Sequence, residues 1–352
     1  MTADKKNLRR VATEEAFSIP EVATALRDVA RSPSNSQDMI LVQRIYDTPD
    51  DPATGSLLPL LLDLEEKRLA DMDKNGVAVH LLSLTAPGVQ MFDADTATEL
   101  AALANDRMAE VIKRHPTRFA GLASFAPQSP KRAAKERERA IKTLKLNGFV
   151  VNSHTNSEYF DDSKFWPILE AAEALDACIY IHPRASSDGL AAPFRLYGLD
   201  SAQWGYGIET STHAVRMIVS GVFDRFPKLK ICLGHMGEAV HFWLWRLDYM
   251  NKNAQNRGVA PKLKLKPSEY FKRNFVITTS GQESHLALDF SIKAIGADNV
   301  LWAIDYPYQP SGPAVEFMDS APISDTDKEK IYHGNAERIF HIPAGASATT
   351  AR

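Results

Sequence analysis

The sequence predicts a single closed (β/α)8 barrel of the TIM-barrel class, spanning residues 1–352 as one domain. Three observations carry this prediction. Eight short apolar runs recur along the chain, each bounded by Gly, Pro or polar residues, and their length and β-branched content suit parallel strands buried on both faces. Segments with apolar residues at helical spacing lie between them, and repeated strand–helix alternation favours a closed barrel over an open sheet. With 44% hydrophobic residues, a chain of this length can bury such a core in one unit.

The elements follow in order. RVATEE (10–15) is the first strand, and a long irregular insertion over 17–60 follows it. Turn-rich SPSNSQ and TPDDPATGS flank a short helix expected near 21–31, and on a barrel this insertion falls on the catalytic face as a lid or subunit contact. LLDLEEKRLADMDKNG (61–76) is helical and stops on Asn-Gly before the second strand, VAVHLLSLT (77–85). TATELAALANDRMAEVIKRHP (96–116) is a helix ended by proline, followed by the strand FAGLASFA (119–126). SPKRAAKERERAIKTLKLNG (129–148) presents a charged, solvated face and leads into GFVVNSH (148–154). KFWPILEAAEALD (164–176) precedes ACIYIHP (177–183), and HAVRMIVSGVFDRFP (213–227) precedes LKICLGH (229–235). EAVHFWLWRLDYM (238–250) then leads to FVITTSG (275–281), and SHLALDFSIKAIG (284–296) to the last strand, NVLWAIDYP (299–307). The ends, 1–9 and 343–352, are polar enough to read as flexible tails.

Composition removes several classes of function. The 41 basic and 44 acidic residues nearly balance, so no electrostatic footprint for nucleic acid or an anionic membrane is expected. No apolar run approaches the roughly 18 residues that suggest a membrane span. MTADKKNLRR has no apolar stretch behind it and does not read as a secretory signal. Cys178 and Cys232 sit inside apolar runs and read as buried free thiols, which places the chain in a reducing, cytoplasmic compartment.

Barrel chemistry gathers at the C-terminal ends of strands. There the first strand offers Glu14, the fifth His182 followed by Arg184, the sixth His235 with Glu238 three residues on, and the eighth Asp305. Two carboxylates and two imidazoles on one rim, without a thiolate, form a divalent-metal ligand set. Glu15 faces away from Glu14 and reads as a structural ion-pair partner, while His154 and His213 read as supporting or packing groups.

The ATEEAF start, YIHP, LGHMGEAVHFWLWRLDYM, AIDYPY and GNAERIF occur in this order between about residues 10 and 340. Together they resemble the aromatic acid decarboxylases of the amidohydrolase superfamily, most nearly the 5-carboxyvanillate, γ-resorcylate and 2,3-dihydroxybenzoate decarboxylases. The resemblance implies a (β/α)8 barrel holding one divalent metal per chain, Mn²⁺ or alternatively Zn²⁺, on Glu14, His182 and Asp305. It implies that Asp305, His235 and Glu238 serve catalysis. Arg246, Thr85, Tyr308 and Tyr46 match substrate-binding positions, and Arg184 is either a further substrate contact or a brace of the rim. The partner is then a small aromatic carboxylic acid, and the chain forms a homodimer or homotetramer with the 17–60 insertion near the contact. Two departures stand out. Hydrolytic members of the superfamily begin with His-x-His, where this chain has Glu14 and Ala16, and its fourth strand ends Asn152-Ser153-His154 without a lysine. Ala53 occupies the position aligned with an arginine that 5-carboxyvanillate enzymes carry in the insertion. The alternative function is a metal-dependent hydrolase or hydratase of the lactonase type, which the missing His-x-His argues against.

Overall fold

The structure, a computed structural model, describes residues 8–33, 36–47 and 57–344. Its strands are β1 (Val11–Phe17), β2 (Val79–Leu84), β3 (Phe119–Ala123), β4 (Gly148–Asn152), β5 (Ile179–His182), β6 (Ile231–Leu233), β7 (Phe275–Thr278) and β8 (Val300–Leu301). They form one eight-stranded sheet in sequence order, with every neighbouring pair parallel. Backbone bonds from Thr13 N to Trp302 O (3.2 Å), Asp305 N to Glu14 O (3.0 Å) and Ala16 N to Tyr306 O (2.7 Å) bring the end of β8 round to β1. The sheet is therefore the predicted barrel.

Each predicted apolar run overlaps one strand, and most strands end before their run does. The last residues of a run, Asp305 among them, leave the sheet to build the rim. Val11, Leu81, Leu122, Val150, Cys178, Tyr180, Cys232, Val276 and Leu301 pack as one cluster with Ile339 and Phe340, from and just beyond the closing helix Asn335–Ile339. A larger apolar layer joins the strands to the surrounding helices.

Local chemistry sets the helix ends. The Asp93 carboxylate caps Ala94–Arg114 by accepting from Asp95 N and Thr96 N. Left-handed Gly76 (φ +65°) stops Glu66–Asn75. The predicted 61–76 helix divides into Leu57–Leu62 and Glu66–Asn75, because the Asp63 carboxylate accepts from Glu65 N and Lys67 N, both at 3.1 Å, and starts a new turn. The predicted 238–250 helix starts later, as a 3₁₀ turn Val240–Trp243 continuing into Leu244–Asn256. The insertion carries Pro20–Ala30, the helix expected near 21–31, then Met39–Val42 and a wide turn Gln43–Asp47. Its apolar residues Val22, Leu26, Val42 and Ile45 turn inward. Arg9, expected in a tail, is tied to Pro343 O at 3.1 Å and to Glu337 at 3.2 Å, so both tails begin anchored.

One irregularity positions the site. In the β1–β2 register, Ala12 faces His80 but Glu15 faces Leu82, so β1 carries one extra residue. Val11 and Glu14 thus both reach the barrel interior although their separation is odd. A bulge re-aims the side chains that follow it.

Candidate active site

Glu14 enters from β1, fully buried. Its Oε2 accepts hydrogen bonds from the Tyr180 and Ser280 hydroxyls and from Thr278 Oγ1 at 3.0 Å. Three donors on one oxygen fix the carboxylate and turn the other oxygen outward. Glu14 Oε1 has no hydrogen-bond partner among the described residues. It lies 3.4 Å from His182 Nε2 and 3.7 Å from His235 Nε2. A Cβ on Gly234 would meet both Glu14 oxygens, at 2.9 and 3.0 Å, so β6 must end in glycine for this carboxylate to sit where it does.

His182, the last residue of β5, places Nδ1 2.8 Å from its neighbour's carbonyl, Pro183 O. The Nδ1 proton is committed to that carbonyl, which leaves the Nε2 lone pair facing Glu14. Asp305 completes the group: one ligand atom from each of Glu14, His182 and Asp305 lies within 4.8 Å of the others. A buried carboxylate oxygen without a donor, beside an imidazole lone pair and a second carboxylate, fits a hard divalent cation.

His235 stands next to this triad. Residues His235 to Ala239 all have positive φ, between 47° and 62°, and form a left-handed turn at the end of β6. Four of them are not glycine, at a cost on the order of 1–2 kcal/mol per residue. The fifth, Gly237, could not be otherwise: a Cβ there would lie 2.6 Å from Ile277 Cγ2. The turn brings Glu238 Oε1 to 2.7 Å from His235 Nδ1, while His235 Nε2 lies 3.9 Å from Asp305 Oδ2. Burial disfavours a charged His235. The Glu14, Glu238 and Asp305 carboxylates around it outweigh this and hold its pKa well above the usual histidine value. Burial likewise raises the Asp305 pKa, against His235 and with the Glu14 charge. For Glu14 burial acts upward too, but His235, His182 and the Ser280 and Tyr180 hydroxyls bring its pKa below the usual value.

The expected substrate contacts separate into two sets. Thr85 Oγ1 and the Tyr308 phenol lie 2.6 Å apart, with Tyr46 and Asp305 close enough to act on Tyr308 electrostatically. Tyr46 is fully buried beside Ser18. The structure thus groups these three residues within electrostatic reach of Asp305. Arg184 does not point there: its guanidinium is buried in an ion pair with Asp38 of the insertion, and its Nη1 donates to His154 O at 3.0 Å. Of the two roles read for it, the structure shows the brace. Arg246 is exposed on Leu244–Asn256 and lines, with His235 and Glu238, a cavity of about 1120 Å³. Ala53 lies outside the described residues. Sequence reasoning missed the hydroxyls of Tyr180, Thr278 and Ser280. Tyr180 precedes His182 by two residues and Thr278 precedes Ser280 by two, so strand alternation already aims each pair at one face.

Comparison with known proteins agrees with this architecture. A solved 5-carboxyvanillate decarboxylase from Sphingomonas paucimobilis is 60% identical and superposes with a TM-score of 0.93, covering 96% of this chain and 100% of its own. The 5-carboxyvanillate decarboxylase from Novosphingobium aromaticivorans, solved with manganese and 4-hydroxy-3-methoxy-5-nitrobenzoic acid, is 37% identical with a TM-score of 0.89, over 97% of this chain and 98% of its own. The γ-resorcylate decarboxylase of Polaromonas sp. (strain JS666) is 38% identical over 293 residues, 80% of this chain and 89% of the relative. Residues 61–342 match the amidohydrolase family, and they hold three of the four residues gathered around Glu14 Oε1 and the Asp305 carboxylate. The chain belongs to the amidohydrolase family.

Proposed function

We propose that this protein is a Mn²⁺-dependent, non-oxidative decarboxylase of a hydroxylated benzoate, with 5-carboxyvanillate the first substrate to try. The observation that carries the reading is the His235–Glu238 pair, aimed at the Glu14 and Asp305 carboxylates in a site where Ala16 replaces the second strand-one histidine of hydrolytic relatives. The 60% identity to a 5-carboxyvanillate decarboxylase supports the substrate. Manganese in a related structure supports the metal, with Zn²⁺ the competitor for the same donors.

Direct loss of CO₂ from a benzoate would leave an aryl carbanion, which is too unstable to form. Protonation of the ring carbon comes first, and the C–C bond then breaks with its electron pair returning to the ring. Mn²⁺, when bound, would supply the positive charge that attracts the anionic substrate and stabilises phenolate. Glu14, His182 and Asp305 would hold that ion. Asp305 delivers the proton to the ring carbon, and His235, oriented by Glu238, resupplies it. Thr85, Tyr308 and Tyr46 line one wall of the pocket, and Arg246 approaches the anionic substrate from the cavity side. We further infer a homo-oligomer, supported by an exposed apolar face around Trp243, Trp245 and Tyr249. A cytoplasmic location is supported by the two buried free thiols, Cys178 and Cys232. No helix among the described residues is long and apolar enough to cross a membrane.

The test is CO₂ release by the Mn²⁺-loaded protein from 5-carboxyvanillate, γ-resorcylate and 2,3-dihydroxybenzoate. In heavy water the product should carry one deuterium at the carbon that bore the carboxylate. Asp305→Asn and His235→Asn should each lower turnover by roughly 10²–10⁴-fold, and His235→Asn should keep the metal. A product that gains water, or a ring-opened lactone acid, would mean a hydrolytic enzyme.

A further inference from the structure

Glu15 has no part in the chemistry above, yet both its oxygens are committed. One accepts from Ile304 N at 3.1 Å and the other from Tyr306 N at 3.0 Å, the two peptide groups that bracket Asp305. Between them, Asp305 N donates to Glu14 O at 3.0 Å. Three successive N–H groups of the β8 rim are thus held by two successive residues of β1, and Ala16 N returns a bond to Tyr306 O at 2.7 Å. The arrangement depends on the β1 bulge, which turns Glu14 into the barrel and Glu15 outward.

What the clamp holds is a strained residue. Asp305 has φ +78°, in the left-handed region that a side chain rarely adopts. Relaxing to negative φ would swing its carboxylate away from Glu14 and His182. Arg68, fully buried, supports the clamp from behind: it donates to Ala16 O at 2.6 Å and lies 4.7 Å over the Tyr306 ring.

We propose that Glu15 is a positioning residue for the metal centre: by gripping the peptide N–H groups on both sides of Asp305, it fixes the left-handed backbone that aims the Asp305 carboxylate at the metal and so sets the affinity for Mn²⁺. The proposal rests on the reading of Asp305 as a ligand. A buried glutamate kept only for stability would have no reason to select these two amides out of the whole rim.

The experiment is calorimetric titration of metal-stripped protein with MnCl₂, paired with urea unfolding. Glu15→Gln keeps the volume but turns one acceptor into a donor facing an N–H. Glu15→Asp keeps both acceptors and withdraws them by one methylene. Each should weaken Mn²⁺ binding by roughly 10–100-fold, the range for groups that orient ligands. Arg137→Met, which removes a buried guanidinium from the helix Pro130–Lys142, is the structural control and should bind Mn²⁺ like the wild type. Should Asp305→Asn leave affinity unchanged, the ligand reading fails and the clamp has nothing to position. Should Asp305→Asn weaken binding while folded Glu15 variants match the wild type, the clamp itself is overturned. If neither Glu15 variant folds, amide exchange decides in the metal-stripped wild type: Ile304 and Tyr306 should exchange as slowly as the strand amides, and exchange at loop rates overturns the proposal.

Discussion

Four histidines are buried away from the metal site: His80, His154, His213 and His241. Burial is the first cause in each case and depresses the pKa, to about 4 for His154 and His241, to about 3 for His213, and well below the usual value for His80. For His213 the hydrogen bonds point the same way. Phe160 N donates to Nε2 at 3.1 Å, so Nε2 must be the bare nitrogen and Nδ1 carries the proton toward Ser153 Oγ at 3.3 Å. A second proton would set donor against donor. Because the folded pKa lies below the unfolded value of about 6.5, the unfolded chain binds more protons between the two. The stability contributed by neutral His213 is therefore complete above pH 6.5 and lost as pH falls toward 3, at up to about 1.4 kcal/mol per pH unit. Glu15 and Glu209, whose pKa values burial raises, act in the opposite sense over part of this window, so the comparison must be made within one site. His213→Asn should be less stable than the wild type at pH 7, and the gap should narrow by roughly 2–3 kcal/mol between pH 6.5 and 4.5 in urea unfolding. A gap independent of pH would show that His213 takes up its proton in the fold. At this scale the sequence exposes strand-end polar groups well, because Glu14, His182, His235 and Asp305 each lie at the end of an apolar run. It conceals partners supplied from afar. Arg184 could not be assigned between substrate and brace, because Asp38, 146 positions away, decides between them.

That pair governs the element scale. The Asp38–Arg184 ion pair joins the 17–60 insertion to the loop just beyond His182, and both side chains are buried. Removing one member strands the other charge without water, which costs about 3–5 kcal/mol, whereas replacing both by apolar groups of similar size can be nearly neutral. Arg184→Met should therefore destabilise by that amount in urea unfolding and speed proteolytic cleavage within the insertion. Asp38→Leu combined with Arg184→Met should recover most of the loss. An Arg184→Met protein within 1 kcal/mol of the wild type would mean water reaches the pair. The strands were legible because continuous burial writes itself as continuous apolar sequence. The β1 bulge was not, because one extra residue in a register changes pairing without changing composition. The late start of the helix at Leu244 was equally hidden: GHMGEAV gives no sign that five residues in a row turn left-handed.

For the whole molecule, the barrel order follows from the succession of elements, while the surface by which copies meet does not. The sequence points to the insertion as the contact, yet its described apolar residues mostly turn inward and only Ile40 among them is a large exposed one. A group of exposed aromatic side chains lies elsewhere. Trp245 is 76% exposed and Tyr249 57%, and their rings stack at 5.6 Å with 3° between planes. Phe242, Trp243, Leu286 and Phe290 extend the same exposure onto the neighbouring segments. Single exposed aromatics are ordinary, but a group of this kind is not, and it supports the homo-oligomer proposed above. A second copy is the occupant consistent with the amidohydrolase resemblance. The placement also bears on the chemistry, because Arg246 sits among these residues and lines the cavity that reaches His235 and Glu238. In the proposed oligomer, a copy seated on this face would border the mouth of that cavity. Trp245→Glu places a charge in the middle of the face, where burial without a partner is strongly unfavourable. It should shift the sedimentation coefficient at micromolar concentration from oligomer to monomer. KM should rise together with dissociation, while the Mn²⁺ content per chain stays unchanged, since Glu14, His182 and Asp305 all come from one barrel. A wild-type protein that already sediments as a monomer would rule out this face as a contact between copies.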